Sequence, residues 1–98
     1  MKKFIRASTP DSEEYFVTGC EYLPEQGYFD VVNNLRTTVY SIEDAADKVL
    51  EYLDDPNVES AFVFLPNAEE VEFDVAESWT KRRIELKLKV YMKRNRNL

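Results

Sequence analysis

The side chains that most often carry chemistry are scarce in this sequence. It has no histidine and a single cysteine, Cys20. Cysteine–histidine and serine–histidine catalysis need an imidazole base, so neither can be built within one chain. A zinc site of nitrogen and sulfur ligands fails for the same reason, which leaves carboxylate-only cation sites open. Carboxylates are plentiful, with doublets at Glu13-Glu14, Asp54-Asp55 and Glu69-Glu70. Neighbours along a strand point to opposite faces, so such doublets make poor acid/base pairs and read as solvated surface. Cys20 has no cation beside it in sequence to lower its pKa, which predicts an inert packed thiol. The two glycines, Gly19 and Gly27, do not lie between a strand and a helix, and no phosphate-binding loop is present. Gly19 inside a strand pattern marks a bulge or a close backbone approach. These absences point to a non-enzymatic protein with no cofactor and no metal.

Charge is the feature that stands out. Residues 1–80 carry a net charge of −13 and residues 81–98 a net of +7, within an overall −6. Such asymmetry suggests a nucleic-acid or acidic partner. Trp79, Lys81, Arg82, Arg83, Lys93, Arg94 and Arg96 form the candidate binding surface, with the cations on phosphates and Trp79 or Tyr91 stacking on a base. Against that reading, the acidic body repels the same polyanion. A second use of charge makes the acidic side the working surface. Glu43, Asp44, Asp47, Glu51, Asp54 and Asp55 would then occupy a basic groove, in the limit as a DNA mimic that inhibits a nucleic-acid enzyme. The intramolecular alternative is that basic and acidic strands neutralise each other, with lysines also guarding an exposed edge.

Ninety-eight residues suit one domain with one core, and 44% hydrophobic content is enough to fold it. The longest apolar runs are short, such as AFVFL at 61–65, far below the roughly 20 residues of a membrane span. MKKFIRAS lacks the apolar stretch of a signal peptide. One cysteine suits a reducing compartment, so the expected location is cytoplasmic.

The elements that must position these residues follow from pattern. KKFIRAS predicts a first strand at about 2–7, closed by Thr9-Pro10-Asp11-Ser12. Strands are expected at 13–22 and 28–32 around Leu23-Pro24-Glu25-Gln26-Gly27, then at 36–40 after a tight turn at Asn33-Asn34. SIEDAADKVLEYLDDP predicts an amphipathic helix at about 41–54, capped by Ser41, with Ile42, Ala45, Ala46, Val49, Leu50 and Leu53 in one stripe. AFVFL reads as a central strand buried on both faces.

EEVEFDV (69–75) and RRIELKLKVYM (82–92) both alternate with period two, which predicts a final hairpin with a long loop near 77–83. In that register Asp74 meets Lys87 and Glu72 meets Lys89. The sum is an α+β fold: about seven strands in an antiparallel-rich sheet, one helix packed on one face, and a frayed tail at 93–98.

The strand-to-helix step at TVYSIEDA is similar to that of many small proteins of phages and mobile elements. A three-stranded sheet followed by a helix also resembles integrase-type DNA-binding domains, which implies groove reading by the sheet; the acidic residues here count against it. The expected function is therefore a small binding or regulatory module acting through protein–protein contacts. Nucleic-acid binding by the basic C-terminal segment is the alternative, and a homodimer through an edge strand is compatible with either.

Overall fold

A computed structural model describes residues 13–94. It is an α+β fold in the order β1 (Tyr15–Leu23), β2 (Tyr28–Val39), α1 (Ile42–Leu53), β3 (Ser60–Phe64), β4 (Glu70–Asp74) and α2 (Lys81–Arg94). The four strands form one antiparallel sheet in the order β2-β1-β3-β4. Both helices pack on the same face. Alternation divides the side chains of each strand. Tyr15, Val17, Ala61, Val63, Val71 and Phe73 point towards the helices and meet Ala45, Ala46, Val49 and Tyr52 of α1 and Ile84 and Leu88 of α2.

The first hairpin forms where turn chemistry demands it. Gly27 adopts a φ of +77°, which a side chain disfavours, and its N–H donates to the Leu23 carbonyl at 2.8 Å. Helix α1 also agrees with the sequence reading. Ser41 Oγ accepts from the Asp44 N–H at 3.0 Å, and Glu43 and Asp44 sit at the positive end of the dipole. AFVFL is central, between β1 and β4, but only one face is sealed: Ala61 and Val63 are fully buried while Phe64 is exposed.

Three expectations are corrected. Asn33-Asn34 do not reverse the chain, and β2 runs through them as one strand. Both residues do adopt positive φ, 47° and 62°, but their effect is a large bulge: Thr18 pairs with Arg36 and Cys20 with Val31, so four residues of β2 lie opposite Gly19 alone. Gly19 makes the bulge tolerable. A Cβ there would lie 3.2 Å from Tyr52 Cβ and Val58 Cγ2 and 3.3 Å from Leu35 Cδ1, so its missing side chain is the space that Leu35 and α1 occupy.

The second correction is larger. Residues 82–92 are not a strand and pair with nothing as a hairpin; they are the body of α2. The alternating set Ile84, Leu86, Leu88, Val90, Met92 is split by the helix. Ile84 and Leu88 are fully buried, whereas Leu86 is 51% and Val90 59% exposed. The apolar face that wins is Ile84, Leu88, Tyr91 and Met92, at i, i+4, i+7, i+8, in a segment rich in the helix formers Lys, Arg, Leu and Glu. Thr80 caps it, its Oγ1 accepting from the Arg83 N–H at 3.2 Å and its carbonyl from the Ile84 N–H at 3.0 Å. Asn67, in the β3–β4 connection, donates to the Tyr91 and Met92 carbonyls at 3.0 Å each, which ties down the other end.

The third correction follows from the first two. Among the described residues there are four strands and two helices, not seven and one. Lys93 and Arg94 belong to the last turn of α2 rather than to a frayed tail. The expected strand at 2–7 and the end of the tail lie outside the described residues.

Candidate functional site

Residues 81–94 of the basic C-terminal segment form α2, and four of the seven cations described there, Lys81, Arg83, Lys87 and Arg94, are already engaged. Lys81 Nζ sits 3.0 Å from Asp47 Oδ1 and 3.7 Å from Glu43 Oε2 of α1, and the hydrogen bond to Asp47 raises its pKa. That pairing has a local cause. α2 begins with Lys81, Arg82 and Arg83 at the positive end of its own dipole, an unfavourable placement that the α1 carboxylates offset. Arg83 stacks on the Trp79 ring at 4.7 Å and its guanidinium donates to the Ser78 carbonyl.

Trp79 itself packs edge-on against Phe73 at 4.9 Å and donates its indole N–H to the Asp74 carbonyl at 2.9 Å. It closes the core beside α2 instead of standing free to stack on a base. Lys87 does reach β4, as the strand register suggested, but as a helical side chain. Its Nζ donates to the Glu72 backbone carbonyl at 2.7 Å and lies over the Phe73, Trp79 and Tyr91 rings. The cross-strand pairs of Asp74 with Lys87 and Glu72 with Lys89 do not form, because the partner strand is a helix. Arg94 stacks on Tyr91 at 4.5 Å.

Of the seven expected site residues, Trp79, Lys81, Arg83 and Arg94 are therefore tied to neighbours. Arg82 and Lys93 stay on the outer face of α2, and Arg96 lies outside the described residues. Arg82, Leu86, Lys89, Val90 and Lys93 fall at i, i+4, i+7, i+8, i+11, a stripe opposite the buried Ile84 and Leu88. No ion pair engages Arg82, Lys89 or Lys93 among the described residues.

The acidic face of α1 is partly neutralised. Glu43 and Asp47 share Lys81, and Glu51 holds Lys48 at 3.0 Å. No group of three potential ligands that could hold a metal ion occurs among the described residues.

The surface that sequence reasoning missed is the sheet face without helices. Phe16, Thr18, Cys20 and Tyr22 of β1, Phe29 and Val31 of β2, and Phe62 and Phe64 of β3 share it through the strand registers. Phe16 pairs with Phe64 at 6.1 Å, and Tyr22, Phe29 and Phe62 form an edge-to-face chain with centroids 5.2 and 5.1 Å apart. Phe16 is 38% and Phe64 42% exposed. The rings frame a groove of about 380 Å³, with Glu70 on its rim and Cys20 and Thr18 in its floor.

Burial pushes the Cys20 thiol up despite the hydrogen bond to Thr18 Oγ1 at 3.5 Å, so it is a weak nucleophile at neutral pH. Beyond the aromatic strands the face turns acidic: every residue of β4 that shares it, Glu70, Glu72 and Asp74, is a carboxylate. These three, with Glu77, Lys87 and Tyr91, line a second groove of about 370 Å³ towards α2. The sequence signal for this face was the double apolarity of AFVFL, in which both alternating sets are apolar, and of Tyr15-Phe16-Val17 beside it.

No helix among the described residues is long and apolar enough to cross a membrane. No family model, curated protein or solved structure matches the chain.

Proposed function

We propose that the protein is a non-enzymatic binding module whose working surface is the open face of the sheet. The partner is a protein segment that offers apolar side chains to the aromatic rows and Lys or Arg to the β4 carboxylates. The observation that carries this reading is the combination on one face of five aromatic rings with the acidic row of Glu70, Glu72 and Asp74. A contiguous exposed apolar patch with a polar rim is the usual mark of an interaction site, and aromatic residues dominate interface energetics. The acidic rim sets the sign of the partner and repels nucleic acid. The lone free cysteine suits a cytoplasmic setting.

The test uses an amphipathic Leu/Lys peptide as probe, titrated by calorimetry, with a Leu/Glu peptide of the same pattern as control. Binding of the Leu/Lys peptide should fall at least about tenfold in the Phe16→Ser/Phe64→Ser variant, since loss of two hot-spot rings exceeds about 1.4 kcal/mol. Equal affinity of both peptides, or no loss in the variant, sinks the proposal.

A second reading, nucleic-acid binding, rests on the unpaired Arg82, Lys89 and Lys93 of α2. It predicts an affinity that falls steeply with salt and is lost in Arg82→Ala/Lys89→Ala. No shift of either DNA or RNA at low salt removes it.

A further inference from the structure

Two surfaces of this chain complement each other in both shape class and charge. The open sheet face is a wide aromatic trough with a carboxylate row along β4. The outer face of α2 is a helical ridge with Leu86 and Val90 along its middle and Arg82, Lys89 and Lys93 beside them. Each is incomplete alone. The trough leaves phenylalanine rings in water, and the ridge leaves two large aliphatic side chains in water on a helix whose other apolar face is already sealed in the core.

We infer that the occupant of the open sheet face is the outer face of α2 from a second copy of this chain. The inference rests on the reading of that face as a docking surface and names its partner. Leu86 and Val90 would enter the groove bounded by Phe16, Phe62 and Phe64. Arg82, Lys89 and Lys93 would lie along Glu70, Glu72 and Asp74. A helix laid across a sheet face repeats the contact that α1 and α2 already make on the opposite side of the same sheet.

Face-to-face pairing of two sheets is the competing arrangement. The open face carries a carboxylate from every outward position of β4, and the cations beside it among the described residues are Arg36, opposite Thr18, and Lys87, whose ammonium already donates to the Glu72 backbone carbonyl. A symmetric pairing therefore buries carboxylates with few counter-charges, whereas α2 supplies three unpaired cations. Because the two surfaces differ, the contact is heterologous: each copy offers a free trough and a free ridge, and association continues into a ring or a chain.

The experiment is analytical ultracentrifugation of the full chain over a concentration series at low and high salt. The wild type should grow beyond its 11.5 kDa monomer mass as concentration rises and return towards it in high salt. Trough-blocked Phe16→Ser/Phe64→Ser and ridge-blocked Leu86→Glu/Val90→Glu should each stay monomeric, and circular dichroism should show both folded. Mixed in equal amounts they should form a heterodimer and nothing larger, because one intact trough meets one intact ridge.

As a second pair, Glu70→Lys/Glu72→Lys and Arg82→Glu/Lys89→Glu should each lose association. A chain carrying all four reversals should regain it, which separates charge complementarity from misfolding. A wild type that is monomeric at every concentration overturns the inference, and so does a mixture of blocked variants that stays monomeric. If the Leu/Lys peptide still binds the trough in those cases, the face is a docking surface for a foreign protein. If it does not, the functional reading falls as well.

Discussion

The two faces of the sheet are made by the same strands from similar residues, yet they meet different fates. On one, Val17, Ala61, Val63, Val71 and Phe73 are sealed under two helices and exclude solvent entirely. On the other, one residue along in each strand, Phe16, Phe62 and Phe64 surround an open groove. Hydrophobicity alone does not decide which face becomes core. The helices supply one stripe each, α1 through Ala45, Ala46, Val49 and Tyr52 and α2 through Ile84 and Leu88, which suffices to cover one face. The remaining aromatic face is covered by neither helix, and that uncovered surface is the one the proposed binding function uses.

The largest expected effect tests this division directly. Phe73 is fully buried, edge-on to Trp79 and under Lys87, so Phe73→Ala should cost about 3–5 kcal/mol by leaving a cavity. Phe64→Ala on the open face should cost less than about 1 kcal/mol, since the residue is 42% exposed beside the ring of Phe16. Urea denaturation of both variants measures the contrast. Comparable losses would mean that the open face is covered within the monomer.

A second pair of variants sharpens the same comparison within α2. Leu88 is fully buried and Leu86 half exposed, so Leu88→Ala should cost about 2–5 kcal/mol and Leu86→Ala less than about 0.5 kcal/mol. In a strand, where 86 and 88 share a face, the two losses would be similar. This pair therefore also bears on how far the sequence could be read. Helix α1 was legible because its cap, its acidic first turn and its period all agree at Ser41, Glu43, Asp44 and the Ala45–Val49 stripe.

Residues 82–92 carry two overlapping periods, and period two has more apolar matches. The preference is settled by something local sequence does not contain: a vacant part of the sheet face over Phe73, next to α1, that a helix fills and an added strand would leave bare. Thr80 and the density of Lys, Arg, Glu and Leu were the available helix signals. At Asn33-Asn34 the left-handed geometry was legible and its consequence was not, because bulge and turn share it; Gly19, on the other strand, decides. The candidate site was legible only in part. Arg82 and Lys93 remain free, but the pairing of Lys81 with Asp47 and of Arg83 with Trp79 depends on tertiary contacts between distant segments.

The smallest effect concerns titration on the covered side. Tyr15 and Tyr52 both belong to the core under the helices, and burial pushes each phenol above its ordinary value of 10.0. Glu13 adds to the rise at Tyr15; at Tyr52 the Lys48 charge opposes it and Glu51 adds to it. A phenol whose pKa is raised by folding stays neutral in the native state while the unfolded chain ionises. Its contribution is fully present below pH 10 and is lost as pH rises from there through the folded pKa.

Lys48 and Lys81, raised above 10.5 by hydrogen bonds to Glu51 and Asp47, fade in the same direction at slightly higher pH. Burial raises the Cys20 thiol from 9.0 in the same way, so stability should be level towards pH 9 and decline above it. Tyr15→Phe/Tyr52→Phe should remove the part of the decline that sets in above pH 10.0 and leave the cysteine and lysine parts. Urea midpoints at pH 9, 10 and 11 read this. A decline that is unchanged in the double variant would mean that the phenols reach solvent, and that the covered face is less sealed than its neighbours Val17 and Val63 require.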